Sequence, residues 1–213
     1  MTTPDHQSSA PDAPSPESKG RVYRSNGAIA GGVLLLAIAG WLGIDALVVG
    51  EGRTPWLALA SLILCVPLVA AFTLRPAVFA DEDRLRVRNP FRVVVLPWSA
   101  VGSLRSGYSN EVVAASGTKY QLWAVPVSLR ARKRAARRQA RGAAADSSGA
   151  TTAIATEPVR AHADQIMDHL RELAERRGNA EGAQGEVTVR WAYEVIAPAV
   201  AGAVLLAILL AVG

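Results

Sequence analysis

At 213 residues the chain is long enough for one ordinary domain, but its 50% hydrophobic content is concentrated in three apolar blocks, which excludes a single soluble core. A net charge of +5 and a pI of about 9.9 suit an anionic surface, either a lipid leaflet or nucleic acid, without choosing between them. Cys65 is the only cysteine, which excludes an intramolecular disulfide and a cysteine-based metal site. Inside an apolar block it reads as a small hydrophobe facing lipid or a neighbouring helix.

Residues 1–25 open with Pro, Ser, Asp and Ala and show no apolar periodicity, so a disordered tail is expected. Lys19, Arg21 and Arg24 precede the first apolar block, residues 27–50. About 24 helical residues span roughly 36 Å, enough to cross a hydrocarbon core of about 30 Å. The basic flank and Ala37-Ile38-Ala39 imitate a signal peptide, but the leader is long and apolar residues continue past the motif, so the segment reads as a retained transmembrane helix.

Asp45 lies near the far end of that helix. It is read as an interfacial group beside Glu51 and Arg53. The alternative is a transporter or membrane-enzyme component in which Asp45 carries a proton or ion.

A short polar link leads to residues 56–74, a second span antiparallel to the first. Pro67 lies inside it and is expected to kink it. The pairs Ala28/Gly32 and Ala39/Gly43 have the spacing that lets helices approach closely. Residues 191–213 form the third span, and Trp56, Trp191 and Tyr193 suit an aromatic belt at the edges of the spans. Arg24, Arg75 and Arg190 flank the spans on one side, whereas the first link carries only Arg53. The positive-inside rule then places the N-terminus and the central region in the cytoplasm and the C-terminus outside a cell membrane.

Between the second and third spans the pattern changes to short β-type runs separated by turn residues, so residues 75–178 read as one domain. Six strands are expected: 77–80, 84–88, 91–97, 101–106, 111–115 and 118–124. In the second, Leu85 and Val87 point inward and the arginines outward. Six short strands joined by tight turns predict an antiparallel meander that curls or closes into a barrel. Asp81-Glu82-Asp83 reads as a solvated turn, because it lacks the alternating ligands of a calcium loop.

Residues 130–156 break the pattern. Arg130, Arg132, Lys133, Arg134, Arg137, Arg138 and Arg141 occur with no acid among them, and mutual repulsion makes this a flexible or conditionally helical insertion. These seven are the candidate binding residues, for anionic lipid headgroups or a partner protein. Nucleic acid is disfavoured because no aromatic residue interleaves the run for base stacking.

Residues 158–177 carry an apolar stripe of Val159, Ala163, Ile166, Met167, Leu170, Leu173 and Ala174, which predicts an amphipathic helix covering the sheet. His162 and His169 have no carboxylate or cysteine at ligand spacing, so no metal is expected. Residues 179–190 read as a polar linker to the third span. Phosphate loops, a nucleophile elbow and HExxH are absent from the sequence, so neither a cofactor nor an enzymatic activity is expected.

A six-strand meander followed by one amphipathic helix resembles the pleckstrin-homology fold. The hairpin DRLRVRNPFR and the strand VLPWSAVGSLR resemble the bacterial PH-like domain of actinobacterial membrane proteins in the low-molecular-weight protein antigen group. The resemblance implies an α+β fold in a membrane setting, with Trp98 as a structural anchor and no settled ligand. The chain departs from that pattern at the basic insertion and the third span.

Overall fold

The computed structural model describes residues 20–125 and 162–212. It opens with a strand, β1 (Arg21–Tyr23), that leads within three residues into helix α1 (Asn26–Val48). Ser25 caps this helix by accepting the Ala28 N–H at 3.3 Å. A turn through Gly52, whose φ of 60° favours glycine, reverses the chain into α2 (Thr54–Val69).

Pro67 removes one backbone donor inside α2, and the helix then widens into a π turn at Ala70–Leu74. Thr73 Oγ1 donates to the Val69 carbonyl at 2.6 Å within this turn. The chain leaves it at Arg75 to begin the sheet.

Strands β2 (Ala77–Ala80), β3 (Arg84–Arg88) and β4 (Arg92–Pro97) form an antiparallel meander. The first turn is set by Asp81, whose Oδ1 accepts the N–H groups of Asp83 and Arg84 at 3.0 and 2.7 Å. A 3-10 turn at Trp98–Ala100 then carries the chain away to β5 (Val101–Ser106), β6 (Asn110–Ala114) and β7 (Lys119–Gln121), which make a separate three-stranded sheet. Helix α3 (His162–Arg177) follows, then a second 3-10 turn at Glu181–Ala183, strand β8 (Thr188–Trp191) and helix α4 (Tyr193–Ala211).

The expected closed barrel is not formed. The larger sheet has the order β1-β2-β3-β4-β8, and the second sheet holds β5-β6-β7. The reason is that β8 occupies the edge of β4, pairing Val94 with Val189 and Val93 with Arg190. With that edge taken, β5 has no place beside β4 and starts a new sheet.

Two further segments differ from expectation. Residues 21–23, assigned to the tail, pair antiparallel with β2, Val22 opposite Phe79. Residues 179–190, assigned to a linker, contribute β8 and the fully buried Ala183. Strand β7 is shorter than the expected 118–124.

The core lies between the two sheets and α3. Val78, Leu85, Val87, Val94 and Leu96 come from the larger sheet, Leu104, Val112 and Tyr120 from the smaller, and Ile166, Met167 and Leu170 from the helix. Each side chain of this size stabilises the fold by about 1.5–3 kcal/mol on full burial. The helix is tied down near its middle and at its C-terminal end: Arg171 Nε donates to the Leu104 carbonyl at 3.3 Å, and Arg177 pairs with Glu82 at 2.6 Å.

Helices α1, α2 with its π turn, and α4 are long and apolar enough to cross a membrane. They pack where side chains are smallest. A Cβ on Gly43 would lie 2.5 Å from Leu62 of α2, and one on Gly202 would lie 2.5 Å from the Leu64 backbone nitrogen.

Candidate functional site: an arginine cleft at the base of the apolar helices

Alternation along β3 gives its two faces opposite chemistry. Leu85 and Val87 enter the core, so Arg84, Arg86 and Arg88 project from the other side of the sheet. Strand register lines up their neighbours: Arg88 lies opposite Val93, which lies opposite Arg190, and Arg86 lies opposite Val95. Across three strands, Val93 is therefore bordered by arginines on both sides, and Val95 by Arg86 on one side and Thr188 on the other.

These residues line a cleft of about 450 Å³ together with Arg75, Trp191 and Glu194. Arg75 follows the π turn at the end of α2, and Glu194 lies in the first turn of α4. The cleft thus sits where two apolar helices meet the sheet. Its charged lining is four arginines against one glutamate.

Arg75 pairs with Glu194 at 2.8 Å, its side chain only 18% exposed. Its Nε is buried and has no hydrogen-bond partner among the described residues. Arg88 stacks over the Phe79 ring at 5.4 Å, which holds its guanidinium against the sheet. Burial pushes the Arg88 pKa down, and the cations Arg75, Arg24 and Arg86 push it the same way, with Glu194 opposing. An anion entering the cleft would relieve both effects, since it supplies acceptors and opposite charge together.

A second junction lies nearby. Phe72 in the π turn packs edge-on against Phe91 at 5.2 Å and Trp123 at 5.4 Å, joining the helix end to the β3–β4 hairpin and to the segment after β7. Phe72 and Trp123 remain about two-fifths exposed.

The structure places the residues singled out in the sequence unevenly. Arg130, Arg132, Lys133, Arg134, Arg137, Arg138 and Arg141 lie outside the described residues. Trp98 is buried to 1% exposure, with Nε1 donating to the Asp81 carbonyl at 3.0 Å. Asp45 is exposed and lies within one turn of the end of α1. Asp81 is engaged in its own turn and Glu82 in its pair with Arg177. His169 lies beside Glu172 at 3.8 Å and against the Tyr23 ring. Among the described residues, no three His, Cys, Asp or Glu side chains cluster as a metal would require.

Arg75, Arg86, Arg88 and Arg190 were not candidates from the sequence. The alternation Arg84-Leu85-Arg86-Val87-Arg88 did carry a signal, because it fixes three cations on one face of a strand. That Arg190 joins them depends on β8 pairing with β4, and that Arg75 joins them depends on where α2 meets the sheet.

No curated protein and no solved structure matches this chain. Residues 75–150 match the family model described as a bacterial PH domain, a stretch that covers β2 to β7 and continues beyond the described residues.

Proposed function

We propose that the chain is a non-enzymatic integral membrane protein that holds its PH-like domain at the cytoplasmic face of the cell membrane, where the domain binds anionic lipid or a partner protein. The observation that carries this reading is the joining of all three apolar helices to one sheet. Strand β1 leads into α1, the π turn after α2 leads into β2, and β8 leads into α4, with no more than two residues between the elements at each junction. A domain fastened in this way cannot leave the bilayer surface, so its ligands are those found there. The bacterial PH domain match supports a binding module.

Charge supports the orientation. Arg24, Arg75 and Arg190 lie at the sheet ends of the helices, and Arg53 alone lies at the far link. The resemblance of the DRLRVRNPFR hairpin to the low-molecular-weight protein antigen group of actinobacterial membrane proteins belongs to the same proposal.

The test is thiol labelling in intact cells with a membrane-impermeant maleimide, in a Cys65→Ser background. Glu51→Cys, in the far link, should label readily. Ser116→Cys, in the exposed β6–β7 turn, should label only after the cells are opened. The reverse pattern would overturn the orientation, and labelling of both sites in sealed cells would overturn the membrane topology.

A further inference from the structure

We infer that the cleft formed by Arg75, Arg86, Arg88 and Arg190 holds the phosphate group of an anionic phospholipid presented by the adjoining leaflet. The inference rests on the membrane-bound reading above and assigns its ligand class and its site. Three observations converge on it.

The first is chemistry. Four guanidinium groups surround a recess floored by two valines, and each guanidinium offers a planar fork that matches the paired oxygens of a phosphate. Only Glu194 offsets them in the lining. Such a concentration of like charge beside one another is costly unless an anion is present.

The second is depth. Arg75 immediately follows an apolar helix, and Arg190 lies three residues before the start of another. Trp191, 56% exposed, and Tyr193, 69% exposed, stand at the same level, where aromatic side chains meet headgroups. The recess therefore opens at the height of lipid phosphates. This favours a lipid over a dissolved anion, which has no reason to require that position.

The third is an internal competitor. Glu194 occupies part of the Arg75 guanidinium at 2.8 Å while the Arg75 Nε has no partner among the described residues. A phosphate can replace the carboxylate and offers more acceptor oxygens to the exposed guanidinium nitrogens. Glu194 thus tunes how tightly the cleft binds, and its removal is expected to act in the opposite direction to removal of an arginine.

The experiment is native mass spectrometry of the full-length protein, delipidated in detergent and titrated with phosphatidylglycerol, with phosphatidylcholine, or with inorganic phosphate. The wild type should retain phosphatidylglycerol over phosphatidylcholine. Arg86→Gln with Arg88→Gln should weaken that retention about 25-fold, from two surface cations worth roughly fivefold each. Glu194→Gln should strengthen it by roughly fivefold on the same basis. Arg86→Lys with Arg88→Lys, which keeps charge and folding while losing the forks, should fall between wild type and the glutamine pair.

Loss of selectivity on neutralising Arg132, Arg134, Arg137 and Arg138, with the cleft variants unchanged, would overturn the cleft as the site and leave lipid binding standing. Equal affinity for phosphatidylcholine, or no lipid retained, would overturn the lipid inference. The topology labelling would still decide the membrane-bound reading on its own. Inorganic phosphate displacing the lipid at equal concentration would overturn the lipid as the source, with phosphate recognition retained. A stable complex with another protein that needs Arg86 and Arg88 in lipid-free detergent would likewise overturn it.

Discussion

Trp98 shows how one residue closes a small two-sheet domain. It sits at the corner where the chain leaves β4 for the second sheet, and its backbone N–H donates to the Asp83 carbonyl at 3.2 Å while its indole reaches Asp81. Both ends of the β2–β3 turn are therefore fastened to the corner. Trp98→Ala should destabilise the fold by about 3–5 kcal/mol through the cavity it leaves. Trp98→Phe should cost far less, because it keeps most of the packing and loses chiefly one hydrogen bond, worth about 1 kcal/mol. Thermal unfolding of the detergent-solubilised protein would rank the two, and equal losses would contradict a packing role. Asn110 does similar work on the other sheet. It is 1% exposed, accepts the Ser106 hydroxyl at 2.6 Å and donates to the Val125 carbonyl at 2.8 Å. A buried amide so engaged fixes the path of the chain after β7.

Among elements, the short strands β1 and β8 matter more than their length suggests. Each covers an edge of the meander, and each continues into an apolar helix, so the sheet transmits its orientation to those helices without a long link. The helices are held together by close approach in addition to side-chain burial. Gly202 meets the α2 backbone so closely that any side chain there forces the helices apart. Gly202→Leu should lower stability by about 1–3 kcal/mol through overpacking. Gly40→Leu in α1, where a Cβ meets nothing within 4 Å, serves as the control and should leave the unfolding midpoint unchanged. If the two variants unfold at the same temperature, the α2–α4 contact does not contribute.

For the molecule as a whole, the consequence of this topology is that the domain is not a contiguous segment. Strand β1 lies before two helices and β8 after the rest of the domain, so a fragment of residues 75–190 loses β1 and bares the β2 edge. An uncovered edge strand is a template for pairing with another chain. The fragment should therefore self-associate in size-exclusion chromatography. Adding residues 20–25 back through a flexible linker should shift it towards the monomer. A monomeric fragment without them would show that β1 is dispensable.

Local pattern alone was sufficient for much of this. Apolar length marked the three long apolar helices, short β-type runs between turn residues marked the strands from β2 to β7, and the 3.6-residue stripe marked the part of α3 that enters the core as Ile166, Met167 and Leu170. Those signals are carried by neighbouring residues, so they survive without knowledge of the fold. The edges were not legible, because three- and four-residue strands such as β1 and β8 have no periodicity of their own and exist only through their partners. The open two-sheet arrangement followed from them, since β8 takes the place a closing strand would need. The cleft was illegible for the same reason. Arg86 and Arg88 announce a charged face, but only the pairing of β8 with β4 and the emergence of α2 and α4 beside it bring Arg190 and Arg75 to that face.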